Sequence, residues 1–192
     1  MNGRRTLRLA LPVSLALMMA GVTVAQTRVH YESKAELVGA AASGPYSSEK
    51  ILQSIVDYCV TLGPAAGGPA TAALLSWKER NATYLILSSY YRKEIQKYIA
   101  APPDSPQKRA LKKITTQDVE ELIKANSDAL ILGFRKAQEA DPKDGGANMC
   151  RGYFRGVDDG AADVKNRDPE LAAFLDQDPV GQRRAKQPTK EQ

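Results

Sequence analysis

The sequence predicts an all-α fold, a disulfide-linked up-and-down bundle of about four helices followed by a short C-terminal helix. Apolar residues recur every three or four positions through four segments, which is the period of an amphipathic helix. No run alternates between apolar and polar residues well enough to predict a strand. The chain also has two cysteines, Cys59 and Cys150, and an even, low count in an exported chain predicts a disulfide.

The first 25 residues have the composition of a cleavable secretory signal. Three arginines open the chain, residues 9–27 contain no charged side chain, and Thr23-Val24-Ala25 places small residues at the exit. A basic start, a short apolar middle and a small-residue exit are typical of such signals. An uncleaved membrane anchor is the alternative, although Pro12 and Gly21 interrupt the apolar stretch. We therefore expect a periplasmic or secreted protein with no stable membrane span after the signal (residues 1–25) is removed.

The rest of the chain divides into three parts. Residues 26–46 are mixed in composition and end in Gly44-Pro45, which predicts a loosely ordered lead-in with room for a short helix over Ser33–Ala42. Residues 47–175 are expected to form the helical bundle domain. Residues 176–192 have few apolar side chains and are rich in Gln, Lys, Arg and Pro, so we expect a disordered tail.

Turn residues set the boundaries of the predicted helices. Gly63-Pro64 ends the first periodic segment, and Pro69 suits the first position of the second, where its missing N–H would be unpaired anyway. Pro102-Pro103 ends the second helix, because proline cannot continue the hydrogen-bond ladder. The predicted helices are Ser48–Leu62, Pro69–Ile99, a third from Thr115 or Thr116 to the Asp141-Pro142 exit, a fourth over Asn148–Val164, and a short one announced by Asp168-Pro169-Glu170.

The two cysteines agree with this topology. Cys59 lies at the end of the first predicted helix and Cys150 at the start of the fourth. In an alternating antiparallel bundle these helix ends lie at the same end of the molecule, so a bridge between them is geometrically reasonable. A loop of about 90 residues is then closed, for which the chain-entropy model gives a stabilisation of about 4–5 kcal/mol.

Composition excludes several functions. His30 is the single histidine and lies in the lead-in, so a Ser-His-Asp or Cys-His site is not expected. Both cysteines are assigned to the bridge, and neither a zinc-spaced His and Cys cluster nor a Gly-rich phosphate loop is present. We therefore expect no catalytic residue, no metal and no cofactor. An envelope enzyme that uses carboxylates alone, such as Asp158 or Asp163, is the alternative.

The charge of the chain argues against a nucleic-acid partner. Three of the 27 basic residues and none of the 22 acidic residues lie in the leader, so most of the formal charge of +5 belongs to the leader. Nucleic-acid binding needs a concentrated basic footprint, and we interpret Arg183-Arg184-Ala185-Lys186 as part of a solvated tail and not as a binding arm.

Three glycines lie at four-residue spacing in the fourth predicted helix: Gly152, Gly156 and Gly160. Each glycine in a helix interior costs about 1 kcal/mol relative to alanine, so the row needs an explanation. A glycine ridge lets another backbone come close. The interpretation that packing favours is a neighbouring helix of the same chain, near Gly133; the functional interpretation is a contact face for a partner.

The same helix resembles a known family over residues 150–160. Its residues Cys150, Gly152, Tyr153, Gly156, Val157 and Asp159 fit the pattern Cys-x-Gly-Tyr-x-x-Gly-Val-x-Asp of small periplasmic immunity proteins. The resemblance implies a helical, disulfide-bearing periplasmic protein that neutralises a cell-wall amidase toxin delivered by type VI secretion.

Two sets of candidate binding residues follow. Ile86 and Tyr90 lie four residues apart and project away from the main face of the second helix, so either another element covers them or they belong to a partner patch. The candidate partner-binding residues are Ile86, Tyr90, Gly152, Tyr153, Gly156 and Asp158. The candidate pocket residues are Trp77, Arg80, Tyr84 and Asn126, although a polar pair that fixes helix register would also explain buried amides there.

The sequence thus favours an exported, non-enzymatic protein-binding helical domain, with an inhibitor or immunity protein as one form of it. The second hypothesis is a periplasmic helical bundle that binds a small molecule, which predicts a cavity near Trp77. The carboxylate-only envelope enzyme is the third.

Overall fold

The structure is a computed structural model that describes residues 30–179. Within these residues the chain is all-helical and no strand occurs. The predictions for the signal (1–25) and for residues 180–192 of the tail lie outside the described residues. None of the helices of residues 30–179 combines the length and the apolar character that crossing a membrane requires.

The chain order of the elements is simple. A π-helical stretch, Ile114–Asp118, joins α4 to α5 without a break. The α-helices are α1 (Lys34–Thr61), α2 (Pro64–Arg80), α3 (Ala82–Ala100), α4 (Pro106–Lys113), α5 (Val119–Ala140), α6 (Gly145–Asp158), α7 (Val164–Arg167) and α8 (Pro169–Asp176).

The predicted lead-in is mostly helix, so its boundary at residue 46 is wrong. α1 begins after Ser33, whose hydroxyl accepts a hydrogen bond from the Glu36 N–H at 3.2 Å. Pro45 lies inside α1 and is buried, although an interior proline normally costs about 3 kcal/mol. A Cβ on Gly44 would lie 3.3 Å from Leu171, so α8 packs closely on this part of α1. Gly44-Pro45 by itself predicts a break in the chain, but burial against α8 and α3 stabilises the helix at this point.

The second predicted helix is two helices. α2 begins at Pro64 rather than Pro69, and Pro64 occupies its first turn. Asn81, which is buried, separates α2 from α3. Its side chain donates to the Trp77 carbonyl at 2.8 Å and accepts from the Val164 N–H at 3.0 Å. The break therefore has a tertiary cause, because Asn81 bonds to a segment 83 residues away.

The remaining helices begin or end at places that local contacts explain. The third predicted helix was expected to begin at Thr115 or Thr116. Helix already begins at Pro106 with α4, where the Ser105 hydroxyl accepts a hydrogen bond from the Lys108 N–H at 3.2 Å. The fourth predicted helix ends at Asp158 rather than Val164, because Gly160 has φ +86°. This conformation favours glycine and cannot continue a right-handed helix. The short helix announced by Pro169 is present as α8.

The disulfide joins α1 to α6. Cys59 and Cys150 are bonded, with their Cα atoms 5.9 Å apart, and both are fully buried. α1 contacts α2, α3 and α5, while α6 contacts α2 and α5. One core cluster surrounds the disulfide, with Trp77 and Phe134; a second lies between α1, α3 and α8, with Tyr84 and Leu171. The predicted disulfide and the all-α class are confirmed.

Candidate functional site

Gly152 and Gly156 of α6 do not serve internal packing. Gly152 is exposed, and a Cβ placed on it would meet no atom of residues 30–179 within 4 Å. A Cβ on Gly156 would meet Ala161 at 4.0 Å, and one on Gly133 would meet nothing within 4 Å. Gly160 lies beyond the end of the helix. The predicted packing of this ridge against a helix near Gly133 is therefore wrong, since no neighbour occupies the space that the missing side chains leave.

One side of α6 faces outward with small and apolar residues. Met149, Gly152, Tyr153 and Gly156 follow one another at helical spacing, so they share a face. Met149 is 42% exposed and Tyr153 is half-buried. We call these four residues the α6 face. Asp158 lies exposed at the end of the same helix, with its carboxylate 3.9 Å from the Arg80 guanidinium.

The side of α6 next to this face is fixed in the core. Cys150, Phe154 and Val157 are buried, and the disulfide attaches the helix covalently to α1. The Tyr153 ring meets the Phe134 ring edge-on at 5.7 Å and the Phe154 ring at 5.2 Å. The α6 face is therefore presented on a rigid helix.

A cleft of about 650 Å³ begins at Tyr153. We call it the Tyr153 cleft. Its walls are α1 between residues 44 and 51, α5 between 126 and 130, and the segment between 162 and 171. The apolar part of the wall includes Ile51, Leu130 and Leu171. The volume lies within the usual range for small-molecule sites, roughly 300–1,000 Å³.

The polar groups of the Tyr153 cleft differ in whether the fold already uses them. One carboxylate oxygen of Asp168 accepts from the Tyr31 hydroxyl at 2.5 Å, and the other accepts from the Leu171 N–H at 3.0 Å. Arg167 forms no ion pair or side-chain hydrogen bond with residues 30–179. The Tyr153 hydroxyl likewise has no hydrogen-bond partner among them. Burial raises the pKa of Tyr153, and the nearby Arg167 charge opposes that rise.

The predicted pocket around Trp77 is not formed by the four candidate residues. Trp77 is fully buried in the disulfide cluster and donates its indole N–H to the Ala162 carbonyl at 2.9 Å. Tyr84 belongs to the other core cluster and donates to Asp176 at 3.0 Å. Asn126 is exposed and donates to the Leu122 carbonyl at 2.8 Å. Asn126 instead lines the Tyr153 cleft, so the expectation that it is a buried amide was also wrong.

Arg80, the fourth of these candidates, has a structural partner. It donates to both carboxylate oxygens of Asp163, at 2.9 and 3.1 Å, and to the Val157 carbonyl at 2.6 Å. Asn81 adds a hydrogen bond to Asp163 at 3.1 Å. The hydrogen bond to Asp163 raises the pKa of Arg80. The Asp163 carboxylate therefore ties the junction of α2 and α3 to the segment after α6.

The other predicted partner patch is only partly open. Ile86 is 41% exposed on α3, while Tyr90 is half-buried with its ring 5.5 Å from that of Tyr91. A shallow apolar groove of about 560 Å³ lies further along α3, between α1, α3 and α4, and includes Tyr98 and Leu111 in its lining.

Sequence reasoning missed Arg167 and the hydroxyls of Ser47 and Ser48, which also line the Tyr153 cleft. No local signal marks them, since the cleft unites segments far apart in the chain.

Within residues 30–179, no group of three or more His, Cys, Asp or Glu side chains is placed to hold a metal ion. Comparison of the chain with protein-family models, with curated proteins and with solved structures found no match.

Proposed function

We propose that this chain is an exported, non-enzymatic protein-binding domain whose partner contacts the α6 face. The observation on which the proposal rests is the open surface over Gly152. A glycine in a helix interior costs about 1 kcal/mol relative to alanine, and here no atom in the described part of the chain would obstruct a side chain. Close approach of an external backbone would explain why the helix has glycine at this position.

The surroundings of Gly152 fit such a contact. Met149 and Tyr153 place exposed apolar surface on either side of it, and Met and Tyr are enriched at protein interfaces. The disulfide and the buried side of α6 hold the surface in one arrangement, which lowers the conformational entropy lost on binding. Asp158 is exposed at the end of the same helix but on its other side, so it lies outside the α6 face.

Export is part of the proposal. The signal-like leader (1–25) and the buried disulfide both support a compartment in which thiols oxidise. The resemblance of residues 150–160 to the helix of periplasmic immunity proteins makes a toxin-neutralising role the specific form that we favour. We also propose that the helices alternate in direction, as in the up-and-down bundle that the sequence predicts.

Site-specific photo-crosslinking in the producing cell tests this proposal. A benzophenone amino acid replaces Met149 on the α6 face, Ile86 on α3 or, as a matched control, Leu75 on α2, which is 58% exposed. We expect one discrete crosslinked protein at position 149 and none at 75. The Gly152→Arg variant should abolish that crosslink, whereas Gly68→Arg, at another exposed helical glycine with open space around it, should not. A discrete crosslink at 86 or 75 with none at 149 would contradict the assignment of the α6 face.

A further inference from the structure

The two charged residues that line the Tyr153 cleft differ in whether other residues of the fold already bind them. Arg167 and Asp168 are adjacent in the chain and both line the cleft. The Asp168 carboxylate accepts hydrogen bonds from Tyr31 and from the backbone of Leu171, so both of its oxygens already have donors within the fold. The Arg167 guanidinium has no such partner within residues 30–179. A ligand entering the cleft therefore meets a positive charge that is free to pair.

The neutral polar groups of the cleft reinforce this preference. The Tyr153 hydroxyl has no hydrogen-bond partner among the described residues, although its ring is half-buried. The hydroxyls of Ser47 and Ser48 on the α1 wall also form no side-chain hydrogen bond there. Hydroxyl groups and a guanidinium can all donate to a carboxylate, and a guanidinium can do so with two parallel hydrogen bonds.

The rest of the wall selects the body of the ligand. Ile51, Leu130 and Leu171 supply aliphatic surface, and the Tyr153 ring supplies an aromatic edge. Sites of this size that bind small molecules combine such apolar walls with a few polar groups that fix orientation. We propose that the Tyr153 cleft binds a small organic carboxylate with an apolar or aromatic body, its carboxylate paired with Arg167 and hydrogen-bonded by Tyr153. This binding goes beyond the proposed partner contact at the α6 face and does not depend on it.

A pair of matched probes tests the charge requirement. ¹⁵N-labelled, oxidised protein purified from the exporting cell is titrated with N-acetyl-L-phenylalanine or with N-acetyl-L-phenylalaninamide, which has the same body without the negative charge. For a fragment of this size we expect a Kd of about 1 mM for the acid. The amide should bind at least about tenfold more weakly, since it lacks the charge-assisted pair. Backbone shifts should map to residues 47–51, 126–130 and 162–168, the walls of the cleft.

Conservative variants that leave the buried core unchanged complete the test. Arg167→Gln should weaken acid binding about tenfold and leave amide binding unchanged. Tyr153→Phe should weaken acid binding severalfold. Arg151→Gln is the control: Arg151 lies on the same helix as Tyr153 but donates to Asn148 outside the cleft, and its loss should change nothing.

Three results would overturn the proposal: no shift in the cleft up to about 10 mM acid, far above the expected Kd; equal binding of acid and amide; or full acid binding by Arg167→Gln. None of them affects the crosslinking experiment at Met149, so a failure of the cleft proposal and a failure of the α6 contact are distinguishable.

Discussion

At the scale of single residues, glycine has two opposite roles within one short helix. A Cβ on Gly145 would lie 2.0 Å from the Ala137 carbonyl oxygen, so the turn between α5 and α6 closes only because this side chain is absent. Gly152, two turns later, has open space around it. Sequence alone cannot separate these roles, because the difference lies in what each backbone position faces.

Alanine substitution should reveal this contrast. Gly152→Ala should raise the free energy of unfolding by about 1 kcal/mol, since helix propensity improves and nothing clashes. Gly133→Ala, in the same situation on α5, should do likewise. Gly145→Ala should lower it by about 2 kcal/mol or more, because backbone atoms must move. Urea unfolding measures all three, and a destabilised Gly152→Ala would show that Gly152 has an internal role after all.

Ser127 supports a second prediction at this scale. Its hydroxyl is buried on α5 and has no hydrogen-bond partner within residues 30–179. A buried hydroxyl without a partner loses its hydration and gains nothing, at a cost of about 1–3 kcal/mol. Ser127→Ala should therefore stabilise the protein by about 1 kcal/mol in thermal or urea unfolding. Ser89→Ala, at an exposed position on α3, is the control. Equal effects of the two substitutions would exclude the unpaired Ser127 hydroxyl as the cause of the stabilisation.

At the scale of elements, three tyrosines attach the C-terminal segment to the rest of the fold. Tyr84 on α3 donates to Asp176, and Tyr91 on the same helix donates to Asp178. Tyr31, just before α1, donates to Asp168 ahead of α8. Burial, followed by the hydrogen bond to the carboxylate, raises the pKa of all three tyrosines above their ordinary value of 10.0.

These contacts predict a loss of stability in alkali. Because the folded-state pKa of Tyr84 is raised, its contribution is complete below pH 10 and is lost as the pH rises above that value. Tyr84→Phe should lower stability at neutral pH by about 1 kcal/mol through the lost hydrogen bond. Above pH 10 it should make the fall in unfolding free energy shallower, by up to about 1.4 kcal/mol per pH unit.

Urea unfolding from pH 8 to 11 measures the slope. The control is Tyr98→Phe, at a ring that is 55% exposed, and it should keep the wild-type pH dependence. A parallel curve for Tyr84→Phe would exclude Tyr84 as a source of the alkaline loss.

The elements that sequence could predict are those whose causes are local. Apolar periodicity predicted α6, although the helix ends at Asp158 and not at Val164, and the Pro169 start predicted α8. The continuation of α1 through Pro45 and the break at Asn81 were not predictable, because distant segments cause them. Pro45 stays helical under the cover of α8, and Asn81 bonds to Asp163, 82 residues away.

The same distinction applies to the candidate site. Glycine spacing identified the α6 helix as unusual, but whether the ridge faces inward or outward depends on the packing of the whole fold. The Tyr153 cleft joins α1, α5 and the segment around Arg167, and no sequence window contains all three. The pocket expected at Trp77 was wrong because helix periodicity shows that a residue is buried without showing whether its surroundings are filled.

At the scale of the whole molecule, the disulfide joins the end of α1 to α6 across 91 residues. Replacing Cys59 and Cys150 together with alanine should lower the free energy of unfolding by about 4–5 kcal/mol. Domains of this size are commonly stable by only about 5–15 kcal/mol, so the urea midpoint should fall sharply. An unchanged midpoint would show that the bridge is dispensable.

We propose that this helical body reaches an oxidising compartment and is covalently closed there. Non-reducing intact-mass analysis of the chain in fractions of its producing cell tests this most directly. We expect the exported fraction to contain a chain that begins at Gln26 and lacks the two thiol hydrogens of Cys59 and Cys150. A chain found only in the cytosol, retaining residues 1–25 and with both thiols open to alkylation, would contradict the account.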